Sequence, residues 1–451
     1  MGESARRLGL CAAFLAAACS AGHPASGAEP SLGATAAASP GPSPGPAAVA
    51  PAVAAAASVT AAPFSASSAT APAPAADPAA PFSGPLATFY AALRELERGG
   101  RKQHVRIAWL GDSHAQADFW TGAVRTGLQR RFGNAGPGFV HVGYKNYRHD
   151  GMIVRIHGSW RMRPKPGPAT TLPWGDGTFG LGGVLVAGYA DEPSALLELT
   201  DKELAGKRLR WDLCYRLNEP SGQYRLQLGE GAARTVGAKE NLGTIHHLQL
   251  TSQGLSTLAI DRILGRPELC GVVIETDPAQ GPGVVLDNLG INGARYGTAL
   301  AWSEAAWTAE ARRRSPELVV FEYGGNEASD RKPRPDTYER EARQLIERLR
   351  RVQPDVSCLV VGLADRVDAE ERVAVIRDAH RAAAQKAGCM FWDTYERMGG
   401  KGSLRAWREE RPPRAAVDGV HLLPVGYRQL GAWLLADLMA GYDAATRGGA
   451  P

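Results

Sequence analysis

The chain has 451 residues, of which 44% are hydrophobic and 22% are charged, and its formal net charge is +5. This length allows two or three domains, and the strand and helix patterns that recur from residue 86 onward exclude a fully disordered chain. Beyond the first 20 residues the only long uncharged tract consists of Ala, Pro and Ser, so a polytopic membrane protein is excluded. Lys and Arg are scattered among Asp and Glu, so the charge gives no argument for a nucleic-acid partner.

Residues 1–19 have the pattern of an export signal. Arg6 and Arg7 precede an apolar run at 8–18, which is typical of a secretory signal peptide. The stretch Leu15-Ala-Ala-Ala-Cys19 resembles a bacterial lipoprotein signal, which implies lipidation of Cys19; the alternative is an ordinary signal cut after the Ala-rich stretch. Both alternatives predict an exported protein in the periplasm or at the cell surface, and lipidation would anchor it to the membrane.

Residues 20–84 are mostly Ala, Pro, Ser and Gly and contain no Lys or Arg. Such a segment buries too little apolar surface to offset the entropy of ordering, so it predicts a disordered tether that its prolines keep semi-extended.

The rest of the chain predicts two kinds of structure. It begins with a helix at 85–99, a short buried strand at 105–110 and a helix at 117–132. Between 149 and 285, short β-rich runs alternate with Gly, Pro and Asp turns, which is typical of an antiparallel sandwich. Strands and helices alternate after that, which implies a parallel sheet with helices on both faces. The predicted β-rich runs are 153–156, 184–186, 196–199, 209–215, 224–228, 255–260 and 272–275. The later predicted strands are 284–291, 318–323, 358–363 and 390–392, and the later helices are 299–314, 336–351, 369–387 and 425–439.

The fold class is therefore predicted as α/β. An α/β domain formed by 85–148 and 286–451 is interrupted by an inserted all-β sandwich or jelly roll at 149–285.

Two short segments could supply a nucleophile and its base. Gly111-Asp-Ser113 follows a strand and precedes a helix, the place in an open α/β sheet where a nucleophile is exposed. Asp418-Gly-Val-His421 lies in a loop before the last helix, and a histidine oriented by a nearby carboxylate can accept the proton of a serine. Taken singly, each is also explained by a helix cap or a surface loop.

Two further segments could stabilise the negative charge that develops in acyl transfer. Asn288-Leu-Gly-Ile-Asn-Gly293 and Tyr323-Gly-Gly-Asn326-Glu327 both lie at strand ends. Backbone N–H groups beside glycine and an asparagine amide are suitable donors to a carbonyl oxygen. Singly, each is also explained by a turn.

The four segments in this order resemble the SGNH hydrolases, also called the GDSL esterase family. The resemblance covers 85–148 and 286–451 and implies a flavodoxin-like sheet. It also implies that Ser113 is the nucleophile, His421 the base and Asp418 its orienting acid. The oxyanion would lie on the Ser113 and Gly293 N–H groups and the Asn326 side chain. The sequence departs from the family pattern at two positions, with Glu327 where Asp is usual and His114 where Leu is usual. Zinc-type Cys and His spacings and a phosphate-binding Gly-x-x-x-x-Gly-Lys loop are absent from the sequence, and the resemblance implies neither a metal nor a cofactor.

Longer motifs and the β-rich insert narrow the resemblance to the exported branch that contains peptidoglycan O-acetylesterases, in which a module resembling a carbohydrate-binding jelly roll interrupts the hydrolase. The motifs are Gly111-Asp-Ser-His-Ala-Gln-Ala-Asp118, Phe132-Gly-Asn-Ala-Gly-Pro-Gly138 and Tyr323-Gly-Gly-Asn-Glu-Ala328. The implied partner is an acylated carbohydrate. Aromatic faces of the insert, at Trp160, Trp174 and Trp211, could stack on sugar rings, although large aromatics more often pack in cores.

Several alternatives stay open from the sequence alone. The same triad would serve a lipase, a thioesterase or a sugar O-acetyltransferase, and a cell-wall-binding lipoprotein is the non-enzyme alternative. In an exported chain, Cys214 could pair with Cys270 and Cys358 with Cys389, or all four could be free buried thiols.

Overall fold

The computed structural model describes residues 83–163, 177–237 and 241–447. The predicted signal with Cys19, nearly all of the predicted tether and Trp174 lie outside the described residues.

The bounds of the elements are as follows. The strands are β1 (Val105–Gly111), β2 (Gly138–Val140), β3 (Met152–Arg163), β4 (Leu185–Leu199), β5 (Arg208–Arg216), β6 (Gln223–Leu228), β7 (Arg234–Gly237), β8 (Ile245–Gln253), β9 (Thr257–Leu264), β10 (Glu268–Thr276), β11 (Val284–Gly290), β12 (Leu318–Glu322), β13 (Ser357–Val361) and β14 (Met390–Trp392). The helices are α1 (Ala87–Glu97), α2 (Ser113–Gln116), α3 (Trp120–Phe132), α4 (Tyr296–Leu300), α5 (Glu304–Arg314), α6 (Pro335–Val352), α7 (Glu370–Lys386), α8 (Thr394–Met398), α9 (Ser403–Glu409) and α10 (Pro424–Thr446). None of the helices in the described ranges is both long and apolar enough to cross a bilayer.

The α/β part of the chain is built on a five-stranded parallel sheet, in the order β11-β1-β12-β13-β14. Alternate side chains of a strand point to opposite faces, so Trp109 packs with α1, α3 and α10 while Leu110 packs with α4, α5 and α6. Covering both faces explains why these strands are almost continuously buried. The strand order is that of flavodoxin-like sheets, so the predicted α/β class is confirmed.

An antiparallel sheet lies between β1 and β11 in the chain, in the order β7-β6-β9-β4-β10-β5-β8, with β2 on β10 and β3 on β4. Its long strand β4 bends near Asp191 and Glu192, which have φ of 59° and 49°. The first part of β4 pairs with β10 and the second with β9, so the sheet curls over a shared apolar core that includes Trp211, Tyr224 and Leu258. The predicted β insert is confirmed, although the predicted strands 184–186 and 196–199 are two ends of this one strand.

Buried ion pairs join the two sheets. Glu275 of β10 accepts hydrogen bonds from Arg106 of β1, Arg210 of β5 and Arg314 of α5. Burial alone would raise the pKa of this carboxylate, but the Arg314 and Arg106 charges outweigh it and lower the pKa to about 2. Arg314 also donates to Asp287 of β11, at 2.8 Å, so one guanidinium ties the insert to the parallel sheet.

Both predicted disulfides are present. Cys214 bonds Cys270 between the paired strands β5 and β10, with Cα atoms 5.1 Å apart. Cys358 of β13 bonds Cys389, the residue before β14, with Cα atoms 4.9 Å apart.

Candidate active site

Ser113 lies at the carboxyl end of the central strand β1. The chain turns at Asp112, whose buried Oδ1 accepts the His114 N–H at 2.9 Å and so caps α2, the short helix that Ser113 begins. A Cβ at Gly111 would come within 2.6 Å of Glu322 Oε2, so this close approach of β1 to the end of β12 requires glycine. The turn therefore presents the Ser113 side chain at the edge where ligand sites of such sheets form.

His421 and Asp418 complete a continuous line of polar atoms. Ser113 Oγ lies 2.8 Å from His421 Nε2, and His421 Nδ1 lies 2.8 Å from Asp418 Oδ2. The other carboxylate oxygen of Asp418 accepts the N–H groups of Val420 and His421, each at 2.9 Å. Partial burial raises the pKa of Asp418, but these N–H groups outweigh it and lower the pKa, so the carboxylate stays charged beside the imidazole.

The two segments predicted to hold the oxyanion flank Ser113 on either side. In register, Gly111 pairs with Gly290 of β11 and with Glu322 of β12, so the loops that carry Gly293 and Asn326 leave the same edge of the sheet. Gly293 has φ of +79°, a conformation that glycine adopts at little cost.

Asn326 lies close to the turn that carries the nucleophile. Its Nδ2 donates to Ala294 O at 2.9 Å and makes a longer contact of 3.3 Å with Asp112 Oδ2. The amide therefore connects the loops after β11 and β12 to the residue that precedes Ser113.

A family model described as "GDSL-like Lipase/Acylhydrolase family" matches residues 274–429. The chain contains a GDSL-like acylhydrolase domain. The match includes the segments of Gly293, Asn326, Asp418 and His421, and Ser113 lies before it, across the insert. Domains of this kind are ester hydrolases.

Comparison with solved structures supports the fold of the acylhydrolase domain and its insert. A peptidoglycan O-acetylesterase superposes with a TM-score of 0.64 at 24% identity, over 79% of this chain and 96% of the other. A lipase/acylhydrolase from Enterococcus faecalis has a TM-score of 0.28 at 19% identity, over 35% of this chain and 77% of the other. A family two carbohydrate esterase from Cellvibrio japonicus has a TM-score of 0.28 at 9% identity, over 64% of this chain and 99% of the other. Comparison with curated protein sequences finds no match.

A buried polar network supports the turn of the acylhydrolase domain from behind. Asn288 Nδ2 donates to Ala115 O at 2.9 Å and lies 3.1 Å from Thr121 Oγ1, which links the end of β11 to α2 and α3. Asp118, with φ of 56°, accepts from Thr121 and from both terminal nitrogens of Arg125. Burial would raise the pKa of Asp118, but the Arg125 guanidinium holds it well below its usual range. Sequence reasoning did not predict these supporting roles, although an amide at the end of a buried strand was a usable signal.

Three carboxyl groups of the acylhydrolase domain are buried behind the turn, namely Asp112, Glu322 and Glu327. Burial raises the pKa of Asp112 to about 6 and that of Glu327 to about 8. Burial, together with the nearby Asp112 charge, raises the pKa of Glu322 well above its usual range. A pKa of about 8 leaves Glu327 protonated at neutral pH, which reduces the repulsion among the three adjacent carboxyl groups.

His114 does not take the position of a second base. Its Nδ1 lies 2.9 Å from the Tyr427 hydroxyl, and its ring centroid lies 5.2 Å from that of His421. Burial, and to a smaller extent the His421 charge, lowers the pKa of His114 to about 3. This histidine is a neutral, hydrogen-bonded part of the wall beside His421.

Of the tryptophans predicted as sugar platforms, Trp211 does not fit. Its side chain is completely buried in the core of the insert, and its Nε1 donates to Ser252 Oγ at 3.0 Å. The prediction fails there because the alternation of β5 points this ring inward. Trp160 is half-buried and donates to His157 O at 2.8 Å.

Among the described residues, no group of three or more His, Cys, Asp or Glu side chains is arranged to hold a metal ion.

Proposed function

We propose that the protein is an exported serine esterase that removes O-acetyl groups from a cell-envelope carbohydrate such as peptidoglycan. The observation that carries the proposal is the line from Ser113 Oγ through His421 to Asp418, with both contacts at 2.8 Å. The likeness in fold to a peptidoglycan O-acetylesterase supports the choice of substrate class.

The proposed reaction has two steps. Ser113 Oγ attacks the ester carbonyl while its proton passes to His421 Nε2, and the Asp418 carboxylate stabilises the imidazolium through Nδ1–H. The sugar hydroxyl then leaves with the proton from Nε2, and the acetyl group stays on Ser113. Water, deprotonated by the same Nε2, attacks the acetyl group, and acetate leaves as Ser113 regains its proton.

The proposed oxyanion donors are the N–H groups of Ser113 and Gly293 and the Asn326 amide. The Asn326 amide makes one close contact, with Ala294 O, and one longer contact of 3.3 Å with Asp112. The longer contact is the weaker hydrogen bond, so it is the one that a developing oxyanion would replace.

The openness of the site favours a short acyl group on a large alcohol. The side chains of His421 and Asp418 are 39% and 48% exposed, and the neighbouring Val417 is 89% exposed. A long acyl chain would need an apolar tunnel to remove it from water, whereas an acetyl ester on a polymer needs only access.

Ser113→Ala is the direct test of the esterase. We expect release of acetate from O-acetylated peptidoglycan, and of the alcohol from a chromogenic acetyl ester, to fall by roughly 10⁴-fold or more. The exposed Ser221, in a loop of the insert, provides a matched Ser→Ala control that should leave both rates unchanged. Unchanged turnover in the Ser113 variant would overturn the proposal.

The same assays separate the other uses of the triad. Faster turnover of long acyl esters than of acetyl esters would indicate a lipase or thioesterase, and transfer of acetyl to an added sugar would indicate an acetyltransferase. A wild-type protein that binds cell walls without turning over any ester would be a binding lipoprotein.

Export and anchoring form a separate part of the proposal. They are supported by Arg6, Arg7 and the apolar run before Cys19, and by two disulfides, which persist in oxidising compartments. We expect Cys19→Ser to move the protein from the membrane fraction to the soluble fraction. Cys11→Ser, inside the apolar run, is the matched control, and equal membrane retention of both variants would contradict lipidation at Cys19.

A further inference from the structure

A cavity of about 350 Å³ opens on the inserted β-sheet, and its lining is unusually basic. Four arginines line it, from β3, from β5 and from the turn between β9 and β10. They are Arg161, Arg163, Arg216 and Arg266. Two carboxylates share the lining, so positive charge exceeds negative charge.

The floor of this cavity is held in place by hydrogen bonds and ion pairs. Glu268 is buried, accepts from Asn218 Nδ2 at 2.6 Å and lies 3.7 Å from Arg163. Arg216 donates to Thr178 O at 3.1 Å and lies 3.9 Å from Glu268 Oε2, the oxygen that accepts from Asn218. A preformed floor of this kind lowers the ordering cost of binding a ligand.

An exposed aromatic ring stands at the boundary of a second cavity. Tyr189 is 45% exposed, and the Arg161 guanidinium lies 4.8 Å from its ring centroid. Tyr189, Glu219 and Arg266 line both the first cavity and a neighbouring one of about 450 Å³. The two cavities therefore form one groove with room for several sugar units.

Arg266 adopts a backbone conformation that does not favour arginine. It has φ of 49° and follows Gly265, with φ of 59°, in the turn between β9 and β10. Two consecutive positive φ values favour Gly, Asn or Asp in such a hairpin turn. Arginine at this position strains the backbone, and strained residues of this kind cluster at functional sites. The strain therefore favours a role for the Arg266 guanidinium in binding a ligand at the groove.

We propose that this groove binds a carboxylate-bearing glycan. Planar guanidinium groups bind carboxylates through paired hydrogen bonds, and a partly exposed tyrosine ring offers a face to a sugar. The Glu219 carboxylate can accept hydroxyl hydrogens of neighbouring sugars. The inference rests on the proposed function to the extent that the acidic glycan is the polymer whose ester Ser113 cleaves.

The test is direct binding by the whole chain, measured by calorimetry with two probes of equal length. One is a tetrasaccharide of alternating N-acetylglucosamine and N-acetylmuramic acid with free lactyl carboxylates, and the other is neutral tetra-N-acetylchitotetraose. We expect the acidic probe to bind at least tenfold more tightly. We expect Arg161→Ala and Arg266→Ala each to weaken its binding roughly tenfold, as loss of a charge-assisted hydrogen bond does.

Arg155→Ala is the matched control, since Arg155 is exposed on the same strand β3, pairs with Glu198 and lines neither cavity. Thermal unfolding of each variant shows whether it is folded, and Arg161→Glu provides a second variant at an exposed position. Equal binding of the two probes, or unchanged binding in the Arg161 and Arg266 variants, would overturn the proposal. Displacement of the acidic probe by equimolar inorganic phosphate would assign the groove to phosphate and also overturn it. Neither probe carries an ester, so failure of this binding is distinguishable from failure of the esterase.

Discussion

Glu327 shows how much the behaviour of one residue depends on its surroundings. The carboxyl is buried, its Oε1 accepts the Tyr296 N–H at 3.4 Å, and its Oε2 has no hydrogen-bond partner in the described part of the chain. Burial raises its pKa to about 8 against the opposing charge of Arg295. A protonated carboxyl in this position is close in shape and charge to an amide.

Glu327→Gln should therefore stabilise the protein at alkaline pH. The raised pKa means that the folded state holds this proton more tightly than the unfolded state, whose value is near 4.5. The stability that this proton provides is complete below pH 4.5 and is lost as the pH rises through 8. We expect urea unfolding to show wild type and variant alike at pH 4.5 and the variant more stable at pH 9.

Glu230→Gln, at an exposed loop position, is the control and should show no gain that grows with pH. A stability difference between Glu327→Gln and wild type that did not grow from pH 4.5 to pH 9 would contradict the raised pKa of this carboxyl.

The residues of the proposed triad were predictable from sequence, whereas the charge state behind them was not. Ser113, Asp418 and His421 lie in short motifs whose residue types already indicate their chemistry. Asp112, Glu322 and Glu327 are ordinary acids in the sequence, and only their packing together removes them from water and changes their pKa.

Among the elements, the Cys358–Cys389 disulfide joins β13 to the start of β14 across the whole of α7. The two cysteines are 31 residues apart, so the bond restricts a long loop in the unfolded chain. Both are buried in the core under α6 and α7.

Cys358→Ala/Cys389→Ala should lose about 3–4 kcal/mol of unfolding free energy, because the open loop gains conformational entropy in the unfolded state. Urea unfolding measures the loss, and reduced wild type should lose more, because reduction also opens the Cys214–Cys270 bond. A double variant as stable as oxidised wild type would show that this bond contributes nothing to stability.

The sequence predicted the middle of each long helix better than the positions at which the helices begin or are interrupted. The helix predicted at 117–132 begins only at Trp120, after a break that separates it from α2; at this break Asp118 takes positive φ and accepts a hydrogen bond from Arg125. The helix predicted at 299–314 divides into α4 and α5, and Ser303 caps the second with a 3.4 Å hydrogen bond to the Ala306 N–H. Both breaks depend on tertiary or capping contacts that hydrophobic periodicity does not contain.

On the scale of the whole molecule, the insert and the acylhydrolase domain also meet at His247. Its Nε2 lies 2.9 Å from Glu310 of α5 and its Nδ1 lies 3.5 Å from Asp212 of β5. Burial alone would lower its pKa, but the Asp212 and Glu310 carboxylates outweigh burial and raise the pKa to about 9.

The stability that His247 provides should therefore be complete below pH 6.5 and be lost as the pH rises through 9. We expect the melting temperature of wild type to fall between pH 7 and pH 10 more steeply than that of His247→Gln, which carries no titrating ring. His157→Gln, at an exposed position of β3, should keep the wild-type slope. Parallel slopes for wild type and His247→Gln would contradict the ion pair.

The sequence predicted the insert and the acylhydrolase domain, but it did not predict the contacts between them. Glu275, His247 and Glu310 come from strands and helices far apart in the chain, and no local pattern relates them.

Ser113 and His421 are 308 positions apart, and the whole insert lies between them. During synthesis Ser113 is made early and His421 late, so every strand in the described part of the chain is made before the two can meet. Nascent or prematurely terminated chains that lack the His421 segment thus carry the Ser113 hydroxyl without its imidazole partner.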